Sequence, residues 1–184
     1  GRVEWSAFGA HNVANALAAL LAARHAGVPL EIGCAALAAF AGVRRRLEQR
    51  GVRAGVIVFD DFAHHPTAIA ATVAALRARI GAARLVAVVE LRSNTMRLGT
   101  HRAELAGALA EADQVWVVPP SPVGWDVAES LAPLAGKAHL AADTDALLAG
   151  LLPQLTQGDQ VLVMSNGGFD GFHERLLQAL EMRS

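Results

Sequence analysis

The chain has 184 residues, of which 53% are hydrophobic and 18% are charged. That composition is typical of a compact globular protein and argues against intrinsic disorder. The formal net charge is −1, with sixteen basic and seventeen acidic residues scattered along the chain. It provides no basic footprint for a nucleic acid, so we expect no polyanionic partner.

The longest stretch without Asp, Glu, Lys or Arg extends from Trp5 to Ala23. It contains Ser6, His11 and two asparagines, which the interior of a bilayer would penalise, and we therefore expect no membrane span. Residues 1–4 lack the basic and then apolar pattern of a signal peptide, and a single cysteine gives no disulfide framework. The cytoplasm is the expected compartment.

Two helices are predicted at the start of the chain. Alanine- and leucine-rich patterns with helical spacing occupy residues 12–26 and 32–41, and a glycine follows each of them. We place a domain boundary near the second of these glycines, Gly42. A short first segment, 1–42, would then precede a larger domain, 43–184.

A strand and a turn at 51–55 begin the larger domain, after which strands and helices alternate. Segments such as 85–89 and 161–164 are apolar on both faces, as is typical of strands that helices cover on each side. With right-handed crossovers the predicted fold class is α/β, a three-layer αβα sandwich with a mostly parallel, Rossmann-like sheet. The predicted strands are 56–60, 85–90, 114–118, 138–141 and 160–164, and the predicted helices are 66–80, 100–111, 126–132, 144–155 and 171–182.

The stretch from Phe59 to Thr67 is the most informative part of the chain. An apolar strand ends there in two aspartates, two histidines and a proline that suits the first turn of a helix. Ligands of open α/β sheets bind at this edge, so Asp61 and His64 are candidate site residues. Asp61 and His64 could instead cap the following helix, with Asp61 near its positive end. A metal site is less favoured, because adjacent pairs of Asp and His do not present well-spaced ligands.

Two other predicted strands also end in polar clusters. One cluster contains Arg92, Ser93, Asn94 and Thr95, and the other contains Ser165, Asn166 and Gly167. Parallel strands end at the same edge of a sheet, so we expect these clusters to meet. Arginine can bind a carboxylate through two hydrogen bonds, and glycine lets backbone N–H groups approach an anion. The clusters would suit an amino-acid or peptide carboxylate, although Ser, Asn and Gly also form ordinary turns.

Three further polar residues are candidates for ligand contacts. Arg46, within a run of three arginines, could hold a phosphate or face solvent, and Asn12 and Asn15 could bind a ligand or begin a helix. No Gly-x-x-x-x-Gly-Lys-Ser/Thr loop surrounds the single lysine, Lys137, so this chain shows no triphosphate cradle. No Gly-x-Gly-x-x-Gly follows a strand, which argues against a dinucleotide-binding domain.

Two motifs in this order carry a resemblance to a known family: Gly9-x-His11-Asn12-x-x-Asn15 and the eight residues from Asp60 to Thr67. They resemble the Mur ligases, the ATP-dependent enzymes that add amino acids or peptides to UDP-N-acetylmuramate in bacterial cell-wall assembly. The resemblance covers essentially the whole chain. It implies that 1–42 is the end of the family's central ATPase domain and that 43–184 is its C-terminal, peptide-binding domain.

The clusters at 90–96 and 164–169 look most like those of the member that joins UDP-N-acetylmuramate to the tripeptide L-Ala-γ-D-Glu-meso-diaminopimelate in murein recycling. The ligase that adds L-alanine to UDP-N-acetylmuramate shares the motif of 60–67 and is an alternative. A module that binds peptide or nucleotide without catalysis is another. The resemblance implies that ATP phosphorylates the muramoyl carboxylate and that the peptide amine attacks the resulting acyl phosphate.

The resemblance also implies roles for single residues. Asn12 and Asn15 would contact adenine, Arg46 and Asp61 would face the ribose and phosphates, and Asp61 and His64 would be catalytic. The tripeptide would be held by Arg92, Ser93, Asn94, Thr95, Ser165, Asn166 and Gly167. The family's phosphate loop, Mg²⁺ ligands and UDP-binding domain would lie upstream of Gly1, so we expect the complete enzyme to bind ATP and Mg²⁺ and this chain alone to be inactive.

Overall fold

The structure is a computed structural model that describes residues 1–5, 8–119 and 122–183. The chain divides into two compact units, Gly1–Arg44 and Arg45–Ser184. Among the described residues, no helix has the length and apolar character needed to cross a bilayer.

The first unit consists of two helices, α1 (Ala10–His25) and α2 (Leu30–Ala39). Both begin two residues earlier than predicted, α2 directly after Pro29, whose fixed φ suits a helix start. No residue of α1 is buried. Its exposed large apolar side chains recur every four residues and so share one face of the helix: Val13, Leu17 and Leu21.

The second unit is built on a six-stranded sheet with the strand order β1-β2-β6-β3-β4-β5. Strand β1 is antiparallel to β2, and every other neighbouring pair is parallel. The strands are β1 (Glu48–Arg53), β2 (Val56–Asp61), β3 (Leu85–Glu90), β4 (Gln114–Val118), β5 (Ala138–Leu140) and β6 (Gln160–Met164).

Helices lie on both faces of this sheet, which confirms the predicted α/β class. They are α3 (Pro66–Ile80), α4 (Asn94–Arg97), α5 (Arg102–Ala108), α6 (Val127–Leu131), α7 (Thr144–Leu151) and α8 (Phe172–Arg183). One core cluster joins the sheet to α7 and α8 and includes Val58, Val88, Val163, Leu147 and Leu176. Side chains alternate between the two faces of a strand, so Phe59 and Asp61 face the opposite layer, where Asp61 contacts Thr72 of α3.

Prolines and glycines explain where predicted elements differ from the structure. The helix predicted at 144–155 ends at Leu151 and continues as a 3-10 helix, Leu152–Gln154, because Pro153 cannot donate the next helical hydrogen bond. The turn predicted at 51–55 is confined to Ala54 and Gly55. Gly51 lies inside β1 instead, where the register with β2 shifts.

The helix predicted at 100–111 is shorter, Arg102–Ala108, and a separate helical turn, α4, precedes it. Gly99 separates the two helices because its backbone has a φ of +69°, which a continuous right-handed helix cannot include.

Two helical glycines predict opposite effects on stability. A Cβ atom at Gly150 in α7 would lie 2.6 Å from Cη2 of the buried Trp116, whereas a Cβ at Gly107 in α5 would meet nothing within 4 Å. We expect Gly150→Ala to lower the free energy of unfolding by about 1–3 kcal/mol through overpacking. Gly107→Ala should leave it unchanged or raise it by up to about 1 kcal/mol, because alanine favours the helix. Urea denaturation measures both, and equal effects would contradict the packing described around Trp116.

Candidate functional site

Three neighbouring strands bring the predicted polar clusters together. The sheet order places β6 between β2 and β3, with Met164 opposite Asp61 on one side and opposite Val89 on the other. The residues that follow these strand ends therefore share one edge of the sheet, as the sequence predicts.

Ser165 connects the three strand ends. Its hydroxyl donates to the carboxylate of Glu90, the last residue of β3, and accepts a 2.9 Å hydrogen bond from the amide of Gly167. Its own amide donates to the Asp61 carbonyl of β2 at 3.1 Å. Ser165 is fully buried. Its polar groups are thus engaged in holding the edge together rather than displayed on the surface.

Arg92 lies directly against Gly167. A Cβ atom at Gly167 would be only 2.2 Å from Nη1 of Arg92, so only a glycine leaves room for this guanidinium. Arg92 is exposed, and among the described residues its guanidinium has no hydrogen-bonded or ionic partner. Next to Gly167, the buried Oδ1 of Asn166 also lacks a hydrogen-bond donor within the described part of the chain. The edge therefore combines an exposed cation without a partner and a buried acceptor without a donor, two groups that a ligand reaching into the edge would satisfy.

The other polar residues after β3 form the turn of α4. Ser93 caps this turn by accepting a 3.4 Å hydrogen bond from the Met96 amide, and its hydroxyl lies 3.3 Å from that of Thr95. Met96 is buried, whereas Asn94 and Thr95 are exposed. Ser93 thus shapes the turn, and Asn94 and Thr95 are the side chains that it presents.

The two aspartates that end β2 point to opposite faces of the sheet, because consecutive strand residues alternate. Asp60 lies in a cationic environment: Arg45 Nε is 3.3 Å from Oδ1, and Arg50 Nη1 is 3.7 Å from Oδ2. Nε2 of His173, on α8, is 3.2 Å from Oδ1 but not aligned for a full hydrogen bond. Burial alone would raise the pKa of Asp60, but the His173 ring and Arg45 outweigh it and hold the pKa below its ordinary value.

Asp61 is 3% exposed, and both of its carboxylate oxygens are occupied. Oδ2 accepts from the Leu47 amide at 2.8 Å, and Oδ1 accepts from the Ala63 amide at 2.7 Å and from the Thr72 hydroxyl at 3.3 Å. Burial, the largest influence, raises the pKa of Asp61 despite these hydrogen bonds.

The alternative role of Asp61 as a helix cap is wrong. The side chain that caps α3 is that of His65, whose Nδ1 accepts from the Thr67 amide at 3.3 Å. Asp61 still belongs to the strand, and its carboxylate contacts the Leu47 amide and the Thr72 side chain within α3 rather than the first amides of that helix. His65 also places its Nε2 3.0 Å from Nε2 of His101, so its ring is engaged at both nitrogens.

His64, in contrast, keeps one ring nitrogen available. Its Nδ1 lies 2.8 Å from the carbonyl oxygen of Phe62. A carbonyl can only accept, so Nδ1 carries the proton and Nε2 of the neutral ring is an acceptor. Within the described residues Nε2 has no partner. His64 is half-buried and packs edge-on against the Phe62 ring, with centroids 5.3 Å apart.

The loop before β1 carries the candidate Arg46. The Arg46 guanidinium lies over the Phe62 ring at 5.7 Å and is exposed. The residues on either side, Arg45 and Leu47, both have a φ near +50°, an unusual conformation for residues with a Cβ. Asp60, Asp61 and Glu48 hold this strained loop through the contacts of Arg45 and Leu47. Arg45 and His173 are site neighbours that the sequence analysis did not identify.

The remaining candidates, Asn12 and Asn15, belong to the first unit. They are three residues apart in α1 and therefore lie on one face of the helix. Nδ2 of Asn12 donates to the carbonyl of Phe8 at 2.7 Å, and Asn15 is exposed. Throughout the described residues, no group of three His, Cys, Asp or Glu side chains is arranged to hold a metal ion.

The depressed pKa of Asp60 predicts how stability depends on pH. Replacing the carboxylate in Asp60→Asn leaves the cationic groups around it without their anion, and we expect a loss of about 3 kcal/mol at neutral pH. Because the folded-state pKa lies below the ordinary value of 3.8, the wild type gains this stability above pH 3.8 and loses it as the pH falls through the folded-state pKa. Urea denaturation of both proteins from about pH 2.5 to about pH 7 measures the free energy of unfolding. The difference between the two proteins should shrink in acid. A difference that stays constant with pH would contradict the charged cluster.

Comparisons with known proteins identify the family of this chain. The family model described as "Mur ligase, glutamate ligase domain" matches residues 45–167. The UDP-N-acetylmuramate--L-alanyl-gamma-D-glutamyl-meso-2,6-diaminoheptandioate ligase of Escherichia coli (strain K12) is 48% identical over 100% of this chain and 40% of that protein. The UDP-N-acetylmuramate--L-alanine ligase of Saccharopolyspora erythraea is 39% identical over 96% of this chain and 38% of that protein.

A solved structure leads to the same family. The crystal structure of a murein peptide ligase from Psychrobacter arcticus 273-4 matches with a TM-score of 0.78 and 41% identity, over 97% of this chain and 38% of that one. The chain thus spans about two fifths of the length of these relatives, 40% for the first of them. The family model covers most of the second unit, including the ends of β2, β3 and β6, and the chain therefore belongs to the Mur ligase family.

Proposed function

We propose that this chain is the C-terminal part of an ATP-dependent ligase that joins UDP-N-acetylmuramate to the tripeptide L-Ala-γ-D-Glu-meso-diaminopimelate in murein recycling. The higher identity to the tripeptide ligase, 48% against 39% for the L-alanine ligase, supports this choice of substrate. In this proposal 1–42 ends the central ATPase domain and 43–184 binds the peptide. The exposed apolar face of α1 would be covered by the rest of its domain.

The free guanidinium of Arg92 is the observation that carries the proposal. It rests against Gly167, next to the unpartnered acceptor of Asn166. An amino acid or peptide offers both complements, a carboxylate for the guanidinium and an N–H group for the amide oxygen. Asn94 and Thr95 would add hydrogen bonds from the exposed turn, while Ser93 and Ser165 would keep the two peptide-binding segments in place.

The second part of the proposal concerns the reacting amine. An amine that attacks an acyl group must lose a proton as the new bond forms. Nε2 of His64 is an acceptor without a partner in the described structure and could receive this proton. The hydrogen bond from Nδ1 to Phe62 fixes the ring in the tautomer that this role needs.

The third part concerns the nucleotide. ATP supplies the phosphoryl group that activates the muramoyl carboxylate. Arg46 is exposed and fits a contact with the ribose or phosphates, and Asn12 and Asn15 would contact the adenine. Asp61 would act on the nucleotide through the Leu47 amide, which holds the loop of Arg46, since a direct contact would break hydrogen bonds of its buried carboxylate. We assign the phosphate loop and the Mg²⁺ ligands to the upstream domains of the same polypeptide.

The peptide site is tested in the complete polypeptide that contains this chain. Arg92→Ala should raise KM for the tripeptide about 10- to 150-fold, through the loss of a charge-assisted hydrogen bond. Gly167→Ala should also raise it, because the new Cβ would displace the guanidinium. Gly168→Ala is the matched control, since a Cβ there meets nothing within 4 Å. KM for ATP should stay the same in all three variants.

Unchanged tripeptide KM values in both Arg92→Ala and Gly167→Ala would remove Arg92 from the site.

The choice of substrate is tested separately, by supplying ATP and UDP-N-acetylmuramate with either the tripeptide or L-alanine and identifying the product by mass spectrometry. Faster ligation of L-alanine would select the alternative reaction.

This chain alone should bind the tripeptide in a calorimetric titration and should show no ATP turnover. Turnover by the chain alone would overturn its assignment as one part of the enzyme.

A further inference from the structure

The peptide-binding turn after β3 is too short to be stable by itself. We define it as residues 92–99, which include the single helical turn α4 (Asn94–Arg97). Isolated helices of this length do not persist in water, because the first turn costs more backbone entropy than its hydrogen bonds return. The side chain of Met96 is buried and anchors the turn. The segment before α6 supplies a second contact with the turn.

Trp125, in the segment that precedes α6, makes that contact. Its indole Nε1–H donates a 2.8 Å hydrogen bond to the carbonyl oxygen of Met96. The same carbonyl accepts from the Gly99 amide at 3.1 Å, so the indole completes the C-terminal end of the turn. The indole ring also covers Gly99, where an added Cβ would lie 2.7 Å from its Cδ1 and Cγ atoms.

We propose that Trp125 is a positioning residue for the peptide substrate, which holds the 92–99 turn so that Arg92, Asn94 and Thr95 face the ligand. The inference rests on the proposed function, because it takes these side chains to be peptide contacts. The indole does not itself need to touch the substrate. Its effect passes through the Met96 carbonyl, which lies within the turn, and through the packing on Gly99.

A second tryptophan provides a matched control. Trp116 is buried in β4, stacked on His139 with ring centroids 4.6 Å apart, and its Nε1–H has no hydrogen-bond partner in the described structure. Changing either tryptophan to phenylalanine keeps an aromatic ring and removes an indole N–H. Only Trp125→Phe removes a hydrogen bond, the one that the indole donates to the Met96 carbonyl of the turn.

The test uses the complete polypeptide. Trp125→Phe should raise KM for the tripeptide about threefold to tenfold, the effect of one neutral hydrogen bond, while kcat and KM for ATP stay within about twofold. Trp116→Phe should lower Tm without changing KM for the tripeptide.

Amide hydrogen exchange gives a readout that does not need activity. The Gly99 and Thr100 amides, which donate to Met96 and Thr95, should exchange faster in Trp125→Phe than in the wild type or in Trp116→Phe.

Unchanged exchange at Gly99 and Thr100 in Trp125→Phe would overturn the proposal, because Trp125 would then not hold the turn. Faster exchange with an unchanged tripeptide KM, in a protein where Arg92→Ala does raise KM, would overturn it while leaving the proposed function intact. If Arg92→Ala and Trp125→Phe both leave the tripeptide KM unchanged, the peptide site itself is wrongly placed and the inference falls with it.

Discussion

The structure of the site depends on two consecutive buried carboxylates at the end of β2. Because strand residues alternate, Asp60 turns toward α8 and Asp61 toward α3, and both reach back to the loop that precedes β1. Two residues of that loop have positive φ angles, a conformation that persists only where the surroundings impose it. The aspartates supply that constraint, and they thereby place Arg46 over Phe62 on one side of the edge.

Ser165 extends this order to the peptide-binding side. It connects β2, β6 and β3 through one amide and one hydroxyl, and its hydroxyl also holds the amide of Gly167, against which Arg92 lies. The residues that carry charge toward a ligand are therefore few, and most of the polar residues around them are structural. This division is physically reasonable, since buried polar groups have to be satisfied before others can remain free for binding.

The sequence was sufficient to predict the α/β sandwich and the meeting of the three clusters, because both follow from apolar strands and parallel topology. It could not show that Asp61 and Ser165 point inward, since which face a strand-end residue takes depends on the register of its neighbours. The contacts of Arg45 and His173 with Asp60 were also missed, because they join residues far apart in the chain. The turn at 94–97 was missed because four residues give no helical period.

The central claim is that the edge formed by β2, β6 and β3 binds the peptide through Arg92. A crystal structure of the complete polypeptide with the tripeptide and a non-hydrolysable nucleotide analogue tests it most directly. The account predicts a peptide carboxylate within hydrogen-bonding distance of the Arg92 guanidinium and a peptide N–H group on Oδ1 of Asn166. A peptide bound elsewhere, with the Arg92 guanidinium still exposed and Oδ1 of Asn166 still without a donor, would contradict it.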